Sequence, residues 1–508
     1  MSARAEGLPR PSQTHGRQFL TDRKADCDES VYEVLGMREE WEPFAMDFSS
    51  AFFQSTELLS RPVYIELPEE ERSWQEGRGE LKWRKLLVSV PGMNNAPRAW
   101  YETISKFFIE HGFVRSTFDP AMFMCPAAPG SDLPWCGYVP LHVDDSRGRG
   151  TPEFLEWIEK ITVQSAGGRF KVGEFVLPKV GETNEFTGKA YTETADGIVI
   201  DQDKYCSTKL VLVDTSWEEG SDELLESYRS SLGACQWAIQ NSQFDQAYEV
   251  NRCAQKTSCL TKPDCHALNK TAKAMQDNPL HMFVPRLRKD IPVRVTGIVD
   301  AGMSDVGTWE GGQVAYFIGL QNAGLSPIAH CASKSGKIKR VASGSFPAET
   351  LSAYECNSAM LNVQGLVYEF TYGTRIPIRE QAYREFTGVT DVKVHIPMDM
   401  YSDSLGLVQN VTGSFDRSNF SSQRIGDLAA MRQSVQEDDL EIHHINGKTN
   451  PIDSQTKIRS KCLPTYALYR LMLETGKFVP DLSDEYTGHK LPRSKFGKKK
   501  KGTKGTTG

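Results

Sequence analysis

Two sets of acidic residues could carry chemistry. In LHVDDSRG, Asp144 and Asp145 follow a short apolar run and precede Ser146, Arg147 and Gly148, a pattern that puts both acids at a tight turn between strands. Asp47, in PFAMDFSSAFF, stands at the end of another strand-like run flanked by apolar residues. Phosphoryl transfer needs little covalent help from a protein; a two-ion site holds its ions roughly 3.5 to 4 Å apart, and hard Mg²⁺ takes oxygen ligands. Carboxylates on neighbouring strands supply such ligands. An Asp-Asp turn in isolation is more often a surface hairpin than a metal site, so the pair alone decides nothing.

The second set is more dispersed. Asp300 ends the strand-like VTGIVD, Glu349 opens a helix in AETLSAYECNSAM, Asp403 ends PMDMYSD, and Asp453 lies in NPIDSQTK before a closing helix. Metal-assisted hydrolysis of a phosphodiester can draw its acids from separate elements of one mixed sheet, so loose spacing is compatible with a common site. Taken singly, each acid also reads as a helix cap, a strand end or a solvated charge. His443 and His444, on a strand shortly before Asp453, could move a proton or simply face solvent.

The text between these acids resembles a known family. RKLLVSVPGMNNAPRAWYETISKFFIEHGFVRSTFDPAMF is similar to the stretch around SLYGLKQAPRAWY in the reverse transcriptase of copia-type LTR retrotransposon Pol polyproteins, with Asp47 on the first metal aspartate and Asp144-Asp145 on the YVDD turn. The four later acids fall on segments that look like YSDADWAG, SSTEAEYIA, IYCDNQSAI and ADILTK, in that order. SYRSSLGACQWAIQNSQFDQAYEVNRCAQ resembles the connector between the two regions. The resemblance spans about residues 44 to 462. It implies RNA-directed DNA polymerase joined to RNase H, with Asp47 and Asp144 holding Mg²⁺, or Mn²⁺ in its place, supported by Asp145. In the same way it implies a ribonuclease site of Asp300, Glu349, Asp403 and Asp453. Phe52 matches the bulky residue set against the sugar 2′ position, while Gly92 and Pro97 match the turn and helix start that approach template and incoming nucleotide. The implied partners are an RNA template, a DNA primer, the RNA/DNA hybrid and deoxynucleoside triphosphates. Departures stand beside the matches: His142 replaces Tyr, Pro91 replaces the Tyr of LYG, Asn94-Asn95 replace Lys-Gln, and residues 1 to 43 hold no recognisable fingers segment. A degenerate or domesticated element product that binds nucleic acid without efficient polymerisation is the competing reading.

The elements that must position these acids follow from periodicity. Residues 1–43 mix charge, proline and glycine and predict a disordered or degenerate lead-in. Residues 44–215 alternate strand-like runs (PFAMDF, WRKLLVSV, CGYVPLHV, FTGKAYTE, GIVIDQ) with helices near 96–111 and 152–165, the α+β pattern of a ferredoxin-like palm. Residues 216–290 read as a helical thumb or connection. Residues 291–480 alternate strand and helix again, an α/β unit of RNase H-like mixed-sheet type, and 481–508 form a basic tail with an open choice between solvated disorder and nucleic-acid or nuclear-import contact.

Composition bounds the rest. The 508 residues allow two to four domains, with 39% hydrophobic and 25% charged residues, as in ordinary globular chains. A formal net charge of −7 argues against coating of nucleic acid by bulk electrostatics and leaves local basic patches, with Lys334, Lys337, Lys339 and Arg340 the candidates. No run approaches the roughly 20 apolar residues of a membrane span, so no membrane partner is expected. Eleven cysteines without a CxxC pair predict reduced thiols in an intracellular chain, cytoplasmic with nuclear entry open. Cys253, Cys259, Cys265 and His266 are spaced too widely for a usual zinc finger. Oligomeric state is not legible.

Overall fold

In the computed structural model, residues 25–56, 62–75, 79–303, 312–323, 326–339, 344–373, 396–413 and 422–481 are described. Two compact units emerge among them: Glu42–Leu177 belong to the first, and Ser30–Trp41 with everything from Pro178 onward belong to the second. Among the described residues no helix is long and apolar enough to cross a membrane.

Helix α1 (Ala25–Arg38) forms inside the stretch expected to lack regular structure. Val31, Tyr32, Val34, Leu35 and Met37 are all buried, and a helix buried on every side carries no polar stripe for periodicity to reveal. The Tyr32 hydroxyl donates to Glu369 at 2.7 Å, and Arg38 donates to the Lys289 carbonyl at 2.7 Å. Residues 1–24 of the expected lead-in and the tail beyond Asp481 lie outside the described residues.

The first unit is built on an antiparallel sheet. Its strands are β1 (Glu42–Phe48), two small hairpin pairings of β2 (Tyr64–Glu66) with β5 (Trp83–Lys85) and β3 (Ser73–Gln75) with β4 (Gly79–Leu81), then β6 (Val114–Arg115), β7 (Met122–Pro126), β8 (Trp135–Pro140), β9 (Asp145–Gly150) and β10 (Val172–Val176). The main sheet runs β10-β1-β9-β8-β7-β6. Phe44, Met46 and Phe48 alternate along β1 and enter the core, which leaves Asp47 on the opposite face by the two-residue period of a strand. Helix α2 (Ala96–Glu110) covers the core face with Trp100, Ile104, Phe107 and Phe108, at helical spacing, and α3 (Pro152–Thr162) adds Phe154, Leu155 and Ile158. Each such side chain contributes roughly 1.5–3 kcal/mol on burial. The α3 contact needs glycine beneath it, since a Cβ at Gly150 would stand 2.1 Å from the Phe154 ring.

The second unit begins with an antiparallel sheet ordered β11 (Thr183–Phe186), β12 (Lys189–Thr194), β13 (Gly197–Asp201) and β14 (Met282–Pro285). Helices α4 (Asp203–Lys209), α5 (Asp222–Asn241), α6 (Ala247–Ala254) and α7 (Lys262–Asp277) share a core that includes Leu224, Tyr228, Leu232, Cys235, Val250 and Leu268. Cys253 and Cys265 are buried members of that core and Cys259 is exposed, so these thiols do not assemble as a zinc set. A five-stranded mixed sheet follows: β15 (Val293–Gly302), β16 (Gln313–Asn322), β17 (Ile328–Lys337), β18 (Met398–Ser402) and β19 (Leu440–His444), in the order β17-β16-β15-β18-β19. The first three pair antiparallel, while β18 runs parallel to both β15 and β19. Helix α8 (Ser345–Tyr372) packs on β15 and β16, where a Cβ at Gly297 would meet the Met360 sulfur at 2.5 Å. Helices Leu405–Thr412, Ser422–Glu437 and Leu463–Thr475 complete the unit.

Candidate functional site

In the first unit, register places the acids. Asp47 on β1 lies opposite Asp145 on β9 and opposite Glu174 on β10. The β8–β9 turn closes through His142 N–H to the Asp145 carbonyl at 2.8 Å and Asp145 N–H to the His142 carbonyl at 3.0 Å. Its first central residue, Val143, has φ of 58°, a left-handed conformation that hairpins usually assign to glycine. Two contacts hold it there: the Trp100 indole N–H donates to the Val143 carbonyl at 2.6 Å, and the Phe48 N–H donates to the Asp144 carbonyl at 2.8 Å. Trp100 packs edge-on against Phe48 and Phe170 as well, so it serves both core and turn. Partial burial, then the charges of Asp144 and Glu174, raise the Asp47 carboxyl above its ordinary range.

The remaining first-unit positions fall nearby in the chain. Gly92, with φ of 90°, is the third residue of the turn Val90–Met93, after Pro91, and Pro97 stands in the first turn of α2. Phe52 is half-buried against the core, whereas its neighbour Phe53 is 53% exposed. Glu174 had no marker in the sequence; only the β1–β10 register reveals it.

In the second unit the acids converge. Val299 on β15 pairs with Ser402 on the parallel β18, so Asp300 and Asp403 emerge at the same end of adjacent strands. The first turns of α8 carry Glu349 to that end, with the Ser352 hydroxyl pinning the helix through the carbonyls of Asp300 at 2.8 Å and Ala315 at 3.0 Å. Carboxylate oxygens of Asp300, Glu349 and Asp403 lie within 4.8 Å of one another. Asp453 arrives in the short turn Pro451–Gln455; its charge bears on Asp300 and Asp403. Burial, then Asp403, pushes Asp300 up to about 7, and burial, then Asp300 and Asp403, pushes Glu349 up to about 9. Burial raises Asp403 too.

Four side chains hold this arrangement. The Asn450 side chain donates to the Val299 carbonyl at 3.0 Å, caps the turn through Ile452 N–H at 3.1 Å, and hydrogen-bonds Asp403. His444 Nε2 lies 3.0 Å from the Asp403 carbonyl oxygen. Lys457, four residues after Asp453, binds its carboxylate, and the Thr456 hydroxyl donates to Asp300. The sequence had offered His443 and His444 together; the structure separates them. His443 sits 2.9 Å from Asp399, which Arg294 also clamps at 2.6 Å, and Glu441 joins that second cluster. It ties β15, β18 and β19 together, away from Asp453. Of the expected basic patch, Lys334 pairs with Glu355 at 2.5 Å, Lys337 and Lys339 are exposed, and Arg340 lies outside the described residues.

The donor set fits a hard divalent cation. All the candidate ligands are carboxylate oxygens, and Glu349 Oε2 is buried without a hydrogen-bond partner. Like charges crowded out of water need a cation to remain ionised together. Among the described residues, Asp47, Asp144 and Asp145 do not bring three oxygens that close.

Residues 30–216 match the family described as reverse transcriptase (RNA-dependent DNA polymerase). The chain is 25% identical over 382 residues to the retrovirus-related Pol polyprotein from transposon RE1 of Arabidopsis thaliana, covering 71% of this chain and 24% of that protein. It is 23% identical over 452 residues to the corresponding polyprotein from transposon RE2 of the same plant, covering 85% and 28%. The chain thus spans about a quarter of the length of these curated relatives. Among solved structures it is similar to LC11-RNase H1, isolated from compost by a metagenomic approach, at 12% identity over 31% of this chain and 87% of that one, with a TM-score of 0.19.

Proposed function

We propose that this chain, a relative of the retrotransposon Pol polyproteins, combines an RNA-directed DNA polymerase palm with a ribonuclease acting on the RNA strand of an RNA–DNA hybrid. The observation that carries the ribonuclease half is the meeting of Asp300, Glu349 and Asp403 at one end of the mixed sheet, with Asp453 beside them. These residues would hold Mg²⁺ or Mn²⁺. When bound, such ions supply Lewis acidity and lower the pKa of a coordinated water. The protein's own part is to fix the acids: parallel register sets Asp300 beside Asp403, α8 delivers Glu349, and Asn450 locks the segment that bears Asp453.

In the first unit, Asp47 and Asp144 would hold the ions of nucleotidyl transfer and Asp145 would support them. Phe52 would discriminate against a 2′-hydroxyl, while Gly92 and Pro97 shape the approach of template and deoxynucleoside triphosphate. Positioning and charge stabilisation supply most of the catalysis in phosphoryl transfer, so the strained turn at Val143 matters because it aims Asp144.

The test is a pair of assays on the full chain. Extension of a DNA primer on an RNA template with Mg²⁺ should vanish in Asp144→Asn, and cleavage of a labelled hybrid should vanish in Asp300→Asn. Primer extension that is equal in wild type and Asp144→Asn would reject the polymerase half.

A further inference from the structure

One feature of the acid cluster goes beyond its ability to hold a divalent ion. Lys457 projects among the acids themselves. Its ammonium binds one Asp453 oxygen, and the Thr465 hydroxyl donates to the other at 3.2 Å, so both oxygens of that carboxylate are engaged. The same ammonium acts electrostatically on Asp300, Glu349 and Asp403, and for each of these it is the cation that offsets the surrounding negative charge. The side chain is half-exposed, on the turn that follows Asp453.

We propose that Lys457 occupies the second cation position of the cluster. The free protein then takes one divalent ion at Asp300, Glu349 and Asp403, and a second ion must displace the ammonium from Asp453. Three observations support the assignment. The trio whose oxygens come within 4.8 Å of one another excludes Asp453. The one buried carboxylate oxygen in the set without a hydrogen-bond partner belongs to Glu349, which points to the trio as the place awaiting a cation. Charge gives the same answer: four ionised carboxylates and one ammonium leave an excess that a single divalent ion nearly cancels, and a second would reverse it unless the ammonium left. A scissile phosphate brings the added negative charge that admits a second ion. Lys457 therefore couples occupancy of the second position to substrate, which guards the cluster against excess free metal.

The inference rests on the ribonuclease reading of this cluster, and the test separates the two. Mn²⁺ bound per chain is counted by the loss of the free-ion electron paramagnetic resonance signal, on full-length protein in which Asp47 and Asp144 are replaced by asparagine to silence the first unit. Without nucleic acid, the Lys457-containing chain and Lys457→Arg should bind one ion, and Lys457→Met should bind a second at least tenfold more tightly than they do. Lys457→Gln is read in place of Lys457→Met if that variant fails to fold. Two ions of similar affinity on the Lys457-containing chain, or one on the uncharged variant, overturn the role of Lys457 while leaving the metal site standing. No ion on any variant overturns the cluster as a metal site and this inference with it.

Discussion

The carboxylates of Asp300 and Glu349 approach within 4.8 Å of each other, one from the end of β15 and one from the start of α8, and both are pushed far above their ordinary range, Asp300 by burial and then Asp403, Glu349 by burial and then Asp300 and Asp403. A raised carboxyl pKa means that the folded state holds a proton the unfolded state gives up. The associated stability is present below about pH 4 and is lost as pH rises through the folded value near 7. Asp300→Asn removes one of the repelling charges. At about pH 8 and without divalent metal, the variant should melt about 3 °C or more above wild type, on the scale of a few degrees per kcal/mol for domains of this size. Added Mg²⁺ should raise the wild-type Tm and leave the variant nearly unmoved. Differential scanning calorimetry with and without chelator checks both.

A second pH effect has the opposite sign. His330 lies buried 2.9 Å from the Ser333 hydroxyl and against the rings of Phe244 and Phe317, and burial, then Lys189, pushes it down to about 3. The unfolded chain takes up the proton near 6.5, so stability is full above that value and falls as pH drops toward 3. Between about pH 7.5 and 5, urea unfolding should show the wild type losing about 2 kcal/mol more than His330→Phe. Equal losses would remove His330 from the account of acid sensitivity.

The left-handed Val143 is held by Trp100, which gives that tryptophan a job separable from packing. Trp100→Phe keeps an aromatic ring against Phe48 and Phe170 but deletes the indole donor. The expected cost in stability is about 1 kcal/mol, the usual net value of one hydrogen bond. Primer extension should fall about tenfold or more because Asp144 is no longer aimed, while hybrid cleavage stays as in wild type.

Two glycines press on one acid each. A Cβ at Gly173 would stand 3.0 Å from Asp47 Oδ2 and 2.8 Å from Ser49 Oγ; a Cβ at Gly447 would stand 2.9 Å from Asp403 Oδ2. Gly173→Ala should depress primer extension and spare hybrid cleavage. Gly447→Ala should do the reverse, each by about tenfold or more, since a displacement near 1 Å can cost a hundredfold. Steady-state rates for both reactions on both variants give the four values needed.

Much of this was legible in the sequence because each acid closes a strongly patterned segment. PFAMDF, GIVIDQ, VTGIVD and PMDMYSD all became strands, the helices expected near 96–111 and 152–165 formed within a few residues of those bounds, and AETLSAYECNSAM lies within α8. Periodicity could not place the strands β11 to β13. FTGKAYTE and GIVIDQ read as part of the first unit, but GIVIDQ pairs with Met282–Pro285, a partner that only tertiary structure supplies, FTGKAYTE joins the same sheet through GIVIDQ, and contacts group them with the second unit. Lys457 was invisible for another reason. A lysine four residues after an aspartate reads as an ordinary local ion pair; its proximity to Asp300, Glu349 and Asp403 depends on three other elements meeting at one strand end. Asn450 escaped likewise, and His444 was singled out without its partner, since both bind backbone carbonyls, which no side-chain pattern announces.

The most direct measurement is cleavage of a labelled RNA–DNA hybrid by the full chain in Mg²⁺, compared with Asp300→Asn, Glu349→Gln, Asp403→Asn and Asp453→Asn. The convergence of these acids predicts that the wild type cuts the RNA strand, that every variant of the Asp300, Glu349 and Asp403 trio loses at least a hundredfold in rate, and that chelation stops the reaction. A wild-type protein that folds and binds hybrid but leaves the RNA intact, or a trio variant that cuts as well as wild type, would contradict it.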